Sequence, residues 1–293
     1  MTFPLLPLAA CLALALPACS PADSAVAAPA DAPAAPSAVR PDTSATASAS
    51  PYRFDQAVAR FELPAELREI SALTVLDADH VGAVQDEEGS LYIIEIGTGR
   101  VSAVVPFGPP GDYEGVELAD GRLFVLRADG AVLELEGWTG GRETTARVYE
   151  TGLGANACDA EGLGYDAARG QLLISCKEEA NGRNAVHGFS LATNALVEAP
   201  VFQLDPAAVP GRKKLAPSAL AVHPLTGHTV VISSKRDALI ALDASGAVVG
   251  TWDLGPARLE QPEGLTFLPN GDAILASEGG DGPGVLARFA YNG

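Results

Sequence analysis

The sequence is poor in positive charge. It contains 19 Lys and Arg residues against 37 Asp and Glu residues, which gives a formal net charge of −18. Proteins that bind nucleic acid need a basic surface to neutralise the phosphates. We therefore expect no nucleic-acid partner, and the excess of acid favours solubility or the binding of cations.

Familiar signatures of catalytic centres are also missing. No GxSxG sequence marks the nucleophile of a hydrolase, and the four histidines show no HExxH or other paired spacing. No segment shows the helical period of apolar residues. These absences favour an all-β protein without a recognisable nucleophile or zinc motif.

An apolar segment, residues 3–16, begins the chain. It is shorter than the roughly 20 residues of a membrane-spanning helix, so it predicts a signal peptide. It ends in "LPAC", which resembles the lipobox of bacterial lipoproteins. We expect residues 1–18 to be the signal peptide, Cys19 to carry the lipid, and Ser20 to direct the protein to the outer membrane. No Lys or Arg precedes the apolar run, and an ordinary cleaved signal is the alternative.

The next residues, up to position 50, are nearly all Ala, Pro, Ser, Asp and Thr. They lack the large apolar side chains that form a core, so we predict that residues 19–50 are a disordered tether behind the lipidated cysteine. The tether would hold a folded domain, residues 51–293, away from a membrane surface.

The domain repeats one short motif. "DYEGVE", "DAEGLGYD" and "QPEGLT" are strong copies, and "EISALT" and "PSALAV" are weaker ones. Steps of 43, 47, 57 and 45 residues separate their small central residues, which are Ala72, Gly115, Gly162, Ala219 and Gly264. Repeats of roughly 40–50 residues are typical of propeller blades and of helical arrays.

The segments after each motif favour blades. They are short runs of Val, Ile and Leu bounded by Gly, Asp, Pro and Asn, as antiparallel strands are. Four strands per repeat predict a β-propeller. The fifth repeat supplies only three, and residues 52–63 supply the fourth, so we predict five blades closed by an N-terminal strand. Six blades are the alternative, because the step of 57 residues is long enough to hold additional structure.

Equivalent residues of the repeats form rings in such a fold. The residues before the small centres are Ser71, Glu114, Glu161, Ser218 and Glu263. If each motif begins an inner strand, these side chains meet at one mouth of the central channel. Close carboxylates repel each other unless they are protonated or bridged by a cation. The residues two positions earlier face the same mouth, and Asp159 is one of them. We therefore predict a metal site, with calcium preferred, whose ligands are Glu114, Asp159, Glu161 and Glu263.

A second ring is predicted where the second strand of each repeat ends. It contains the acidic Asp86 and Glu87 of the first repeat, and its predicted ligand-binding residues are Arg127, Lys177, Lys235 and Glu278. The three basic side chains suit an anionic ligand. A purely structural network of ion pairs is the alternative for both rings.

Two cysteines, Cys158 and Cys176, flank the first hairpin of the third repeat. If Asp166 lies near Gln171, both cysteines come to the same end of that hairpin. An oxidising compartment would then allow a disulfide, and two free buried thiols are the alternative.

The repeats resemble the SdiA-regulated, or YjiK-like, family of bacterial propellers. The resemblance spans residues 66–280 and lies in "REISALT", "QDEEGSLYIIEIGTGRV", "DYEGVE", "DAEGLGYD", "LLISCKEE", "PSALAVHPLTG", "VVISS" and "QPEGLTFLPNGDAILASEGG". It implies a propeller associated with the cell envelope and suggests calcium as a bound ion. It implies no particular reaction.

Two classes of function follow from these patterns. The first is a binding module, anchored in the cell envelope, that recognises a small molecule or a protein at the acidic mouth. The second is a metal-dependent hydrolase of phosphoesters or lactones, by analogy with other propellers that carry calcium. The first is preferred, because no nucleophile and base can be named.

Overall fold

Short antiparallel strands make up nearly all of the regular structure. The computed structural model describes residues 49–140, 143–154, 158–179, 184–209, 214–234 and 238–293, all of which belong to one unit, residues 45–293. The predicted signal peptide, Cys19 and residues 20–48 of the predicted tether lie outside the described residues, as does Lys235. No helix in the described ranges is long and apolar enough to cross a membrane.

The strands form five antiparallel sheets, and these are the blades of a β-propeller. Strand β1 (Ala59–Glu62) precedes the first complete blade and belongs to the last one. Blade 1 consists of β2 (Ile70–Val75), β3 (His80–Gln85), β4 (Ser90–Glu95) and β5 (Val101–Pro106). Blade 2 consists of β6 (Tyr113–Ala119), β7 (Arg122–Arg127), β8 (Val132–Glu136) and β9 (Thr145–Tyr149).

The remaining three blades follow the same plan. Blade 3 consists of β10 (Cys158–Asp166), β11 (Gln171–Glu179), β12 (Asn184–Ser190), β13 (Ala195–Leu196) and β14 (Phe202–Leu204). Blade 4 consists of β15 (Pro217–Val222), β16 (Thr229–Ser233), β17 (Ala238–Leu242) and β18 (Val248–Asp253). Blade 5 consists of β19 (Gln261–Phe267), β20 (Ala273–Glu278), β21 (Val285–Phe289) and β1.

The last blade is closed by the N-terminal strand, as the sequence predicts. β1 pairs antiparallel with β21, with Ala59 opposite Arg288 and Glu62 opposite Val285. The hydroxyl of Tyr52 donates a hydrogen bond to the carbonyl of Gly271 at 2.8 Å, which extends the closure beyond the strand. Both ends of the domain are therefore held in the same sheet, and β21 has no open edge.

The 57 residues that separate the third and fourth copies of the motif form a blade 3 that is longer than the others. Strands β10 and β11 have nine residues each. The outer part of the blade is divided, since β13 and β14 both pair with β12. The additional residues thus lengthen one blade, and the six-blade alternative is excluded.

The core lies between the blades. Five buried apolar clusters each join two neighbouring blades. The cluster that joins the last blade to the first contains Ile274 and Leu286 of blade 5 and Leu73 and Ile94 of blade 1. The ring is therefore closed by hydrophobic packing as well as by strand pairing.

Candidate functional site at the acidic channel mouth

Each inner strand carries a β-bulge at the same place. The pairing register shifts between Ile70 and Ala72, Tyr113 and Gly115, Ala160 and Gly162, Pro217 and Ala219, and Pro262 and Gly264. The additional residues are Ser71, Glu114, Glu161, Ser218 and Glu263, the first predicted ring. A bulge redirects a side chain and is common beside functional sites. The five bulges therefore define one mouth of the channel, which we call the acidic mouth.

The residue after each bulge is small because the neighbouring blade comes very close. A Cβ atom on Gly115 would lie 2.6 Å from the Cβ of Leu163, and one on Gly264 would lie 2.9 Å from Cδ2 of Leu73. Both contacts are with the inner strand of an adjacent blade. The glycine of the repeated "EG" pair therefore serves packing, and the glutamate is the residue that reaches the mouth.

The two serines of the ring join neighbouring blades. The hydroxyl of Ser71 donates a hydrogen bond to the carbonyl of Tyr113 at 2.6 Å. The hydroxyl of Ser218 donates to the carbonyl of Pro262 at 3.0 Å. Each acceptor directly precedes a ring glutamate, so the serines fix the backbone from which Glu114 and Glu263 project.

Glu161 is paired with Lys177 at the mouth. Lys177 Nζ lies 2.7 Å from Glu161 Oε1 and 3.7 Å from Glu263 Oε1. Both glutamates are buried, with exposed fractions of 5% and 7%. A disulfide between Cys158 and Cys176 joins β10 to β11 beside this pair. Cys158 and Cys176 are therefore bonded, which is one of the two alternatives that the sequence allowed.

Burial and mutual repulsion keep protons on the ring. Burial raises the pKa of Glu161 to about 7, and Lys177 offsets part of this rise. The pKa of Glu114 is raised by burial, by the charge of Glu161 and by a hydrogen bond to Asp112. The pKa of Glu263 is raised by burial and by a hydrogen bond to Glu278. Near neutral pH the mouth therefore carries less negative charge than its carboxyl groups could supply.

Asp86 adds a carboxyl group with an unsatisfied oxygen. Its Oδ1 atom is buried and has no hydrogen-bond partner. Burial and the nearby charges of Glu69 and Glu278 raise the pKa of Asp86 to about 6. A buried oxygen of this kind is a costly feature unless a proton or a cation satisfies it.

The structure separates the predicted second ring. In blade 2, Arg127 pairs with Tyr113. At the equivalent position of blade 3, Cys176 pairs with Ala160, so Arg127 corresponds to Cys176 and not to Lys177. Lys177 is one residue further along, and consecutive residues of a strand point to opposite faces. Arg127 pairs instead with Asp129 of its own turn, at 2.6 Å.

The other predicted residues stay near the ring. Glu278 accepts a hydrogen bond from the side-chain amide of Gln261, and the charge of Asp159 contributes to the raised pKa of Glu161. Lys235 lies outside the described residues.

The type of oxygen atoms at the acidic mouth suits a metal ion, although these atoms are not already arranged as a set of ligands. Within the described ranges no three His, Cys, Asp or Glu side chains are grouped closely enough to hold a metal ion. Calcium prefers carboxylate and carbonyl oxygens. Glu114, Glu161 and Glu263 are the donors that the acidic mouth offers, together with the unsatisfied oxygen of Asp86.

Sequence reasoning missed Glu117 and Thr74, which lie further along the inner strands. Thr74 is buried, with an exposed fraction of 2%, and its hydroxyl accepts a hydrogen bond from the backbone N–H of Leu118 at 3.2 Å. The signal was the alternation in "EGVE", where Glu117 follows the small centre by two residues and so faces the channel again.

The comparisons with known proteins give one family and a fold. A family described as SdiA-regulated matches residues 47–280. No curated protein sequence matches the chain significantly. The glutaminyl cyclase of Myxococcus xanthus is similar in structure, with a TM-score of 0.59, 16% identity, and coverage of 80% of this chain and 95% of the cyclase. A luciferin-regenerating enzyme has a TM-score of 0.52 and 12% identity, with 79% of this chain and 95% of that chain covered. At these identities both likenesses show the fold alone.

Proposed function

This chain belongs to the SdiA-regulated family, and we propose that it is a lipid-anchored binding propeller of the cell envelope. In this proposal the acidic mouth recognises a cation or a positively charged group of a small molecule or protein, and calcium is the ion that it takes up. The observation that supports it is the set of five bulges, which aim three glutamates at one channel mouth.

The balance of charge at the mouth supports a cationic ligand. The acidic groups that interact around the ring are Glu69, Asp86, Asp112, Glu114, Asp159, Glu161, Glu263 and Glu278. Lys177 is already paired with Glu161, and Arg127 is paired with Asp129. The described bases are therefore engaged, and an anionic ligand has weaker support than the sequence alone gave it.

Calcium would replace protons at this mouth. Glu114 and Glu263 hold protons because burial and neighbouring carboxylates raise their pKa values. A bound divalent cation would supply the positive charge that removes this repulsion. The carboxyl groups would then serve as ligands, or would hold a ligand through the ion. The hydrolase alternative would need a metal-bound water at the same mouth, and the binding function is preferred because it needs only the ion and its carboxylate ligands.

Calorimetric titration of the purified protein with calcium chloride tests the ion. We expect saturable binding to the wild type and an affinity about tenfold lower or worse in Glu161→Gln. Glu62→Gln is the matched control, because Glu62 is an exposed glutamate on β1 and its loss leaves the mouth intact. Equal affinities in all three proteins would place the calcium elsewhere, and no saturable binding would remove calcium from the proposal.

A further inference from the structure

A second cavity lies at the far mouth of the channel, where the inner strands end. Thr74, Glu117, Ala221 and Thr266 each follow a small central residue by two positions, and all four line this cavity. Its volume is about 330 Å³, which is at the lower end of the usual range for small-molecule sites. It is separate from the acidic mouth, whose bulges lie at the other ends of the same strands.

Glu117 is the acidic group of this cavity. The hydroxyl of the buried Thr74 lies near the carboxyl group and lowers its pKa somewhat, and no basic side chain among the described residues acts on Glu117. Burial raises the pKa of Glu117 to about 8. Glu117 is partly exposed at the cavity, and acidic groups shielded from water in this way usually have a counter-charge.

The walls around Glu117 combine apolar and polar surface in about equal parts. Val75, Val222 and Phe267 line the cavity, and Tyr165 and Thr266 add a phenol and a hydroxyl. The apolar part favours a ligand with a hydrocarbon or aromatic body, because its burial removes apolar surface from water. A metal ion or an inorganic cation would leave these walls uncovered.

We propose that the cavity at the far mouth binds a small organic ammonium ion, whose charged group pairs with Glu117 and whose apolar body packs on Val75, Val222 and Phe267. The ammonium supplies the counter-charge that the described residues do not provide. The aromatic rings of Phe267 and Tyr165 add a surface that attracts organic cations. This site goes beyond the function proposed for the acidic mouth, and it can exist whether or not that mouth binds calcium.

Titration with benzylamine tests the proposal, with benzyl alcohol as the uncharged probe of matched shape. We expect saturable binding of benzylamine and at least about tenfold weaker binding of the alcohol, since charge-assisted hydrogen bonds are the stronger ones. Glu117→Gln should weaken benzylamine binding about tenfold or more. Glu161→Gln, which changes the acidic mouth, should leave it unchanged within about twofold.

Three results would overturn the proposal. They are the absence of saturable benzylamine binding, equal affinities for the amine and the alcohol, and an affinity that Glu117→Gln leaves unchanged. Loss of binding in Glu161→Gln alone would assign the amine to the acidic mouth and would also count against the proposal. The melting temperature of each variant checks that it is folded, and Thr266→Val provides a second variant that reshapes the cavity without removing a charge.

Discussion

Lys177 Nζ lies 2.7 Å from Glu161 Oε1 and also within 3.7 Å of Glu263 Oε1, so one ammonium group connects carboxyl groups of blades 3 and 5. These blades are not neighbours in the ring. The pair is largely buried, since 23% of the Lys177 side chain and 6% of the Glu161 side chain are exposed. The ion pair therefore holds the acidic mouth together across the channel.

Removing this ammonium should destabilise the protein most at alkaline pH. In Lys177→Met the carboxylate of Glu161 would be buried without a partner, a change that costs about 3–5 kcal/mol when the charge stays in place. Glu161 can instead take up a proton, so we expect a loss of about 2–3 kcal/mol at pH 8 and a smaller loss at pH 5.

Urea unfolding of the variant at both pH values measures this difference. The double variant Lys177→Met with Glu161→Gln should recover part of the lost stability, because it leaves no unpaired charge. The same loss at pH 5 and pH 8 would show that Lys177 acts through packing rather than through its charge.

Closure of the ring by the N-terminal strand gives a second prediction. Phe54 is buried and lies edge-on to Phe289 with ring centroids 5.2 Å apart. We expect Phe54→Ala to cost about 3 kcal/mol or more in the free energy of unfolding. Deletion of residues 52–63 should cause aggregation, because it exposes the edge of β21. Deletion of residues 20–48 is the control and should leave the melting temperature unchanged. If both deletions melt alike, β1 contributes little to closure.

The blades and the glutamate ring could be predicted from the sequence because they repeat. Each copy of the motif placed a bulged residue and a small residue in the same order, so the five inner strands aligned without a structure. Arg127 could not be placed in this way. The hairpin between β6 and β7 has a two-residue turn at Asp120 and Gly121, both with positive φ, and turn length sets the register that decides where a side chain points.

Contacts between distant blades leave no pattern in the sequence. Nothing in the spacing of Lys177 and Glu263 indicates that they meet, because their contact depends on the radius of the channel and on the direction of two bulges. The unsatisfied oxygen of Asp86 could not be predicted either, since it results from burial in the folded domain. The repeated motif thus predicted which residues form the ring, but it did not predict which side chains contact them.

The predicted anchor is tested by the variant Cys19→Ala. Acyl chains on Cys19 would give membrane affinity that an acidic propeller otherwise lacks. We expect the wild type in the membrane fraction and the variant in the soluble fraction or retained as the unprocessed precursor. Cys158→Ala combined with Cys176→Ala is the control, since it removes cysteines without touching the lipobox. Unchanged membrane association of Cys19→Ala would contradict the lipid anchor and favour an ordinary cleaved signal peptide.

The raised pKa values predict that the protein loses stability as the pH rises from 6.5 to 8. Folded Glu161 and Glu117 have pKa values of about 7 and about 8, above the ordinary value of 4.5. In this window the folded state holds protons that the unfolded state has released, so the free energy of unfolding falls with increasing pH. Each such proton contributes up to about 1.4 kcal/mol per pH unit, so we expect Glu161 and Glu117 together to account for a loss of roughly 1–3 kcal/mol, to which the protonated Glu114 and Glu263 add.

Urea unfolding at several pH values measures how the free energy of unfolding depends on pH. Two variants and the addition of calcium then identify the groups that cause this dependence. Glu161→Gln and Glu117→Gln should each make the slope shallower, because each removes one of the retained protons. His223 opposes this slope only near pH 6.5, because burial lowers its pKa in the folded state and the unfolded histidine releases its proton around that pH. Calcium that binds the acidic mouth should raise stability more at pH 8 than at pH 6.5, because at pH 8 it competes with fewer protons. Stability that rises with pH across this window would contradict the raised pKa values of Glu161 and Glu117.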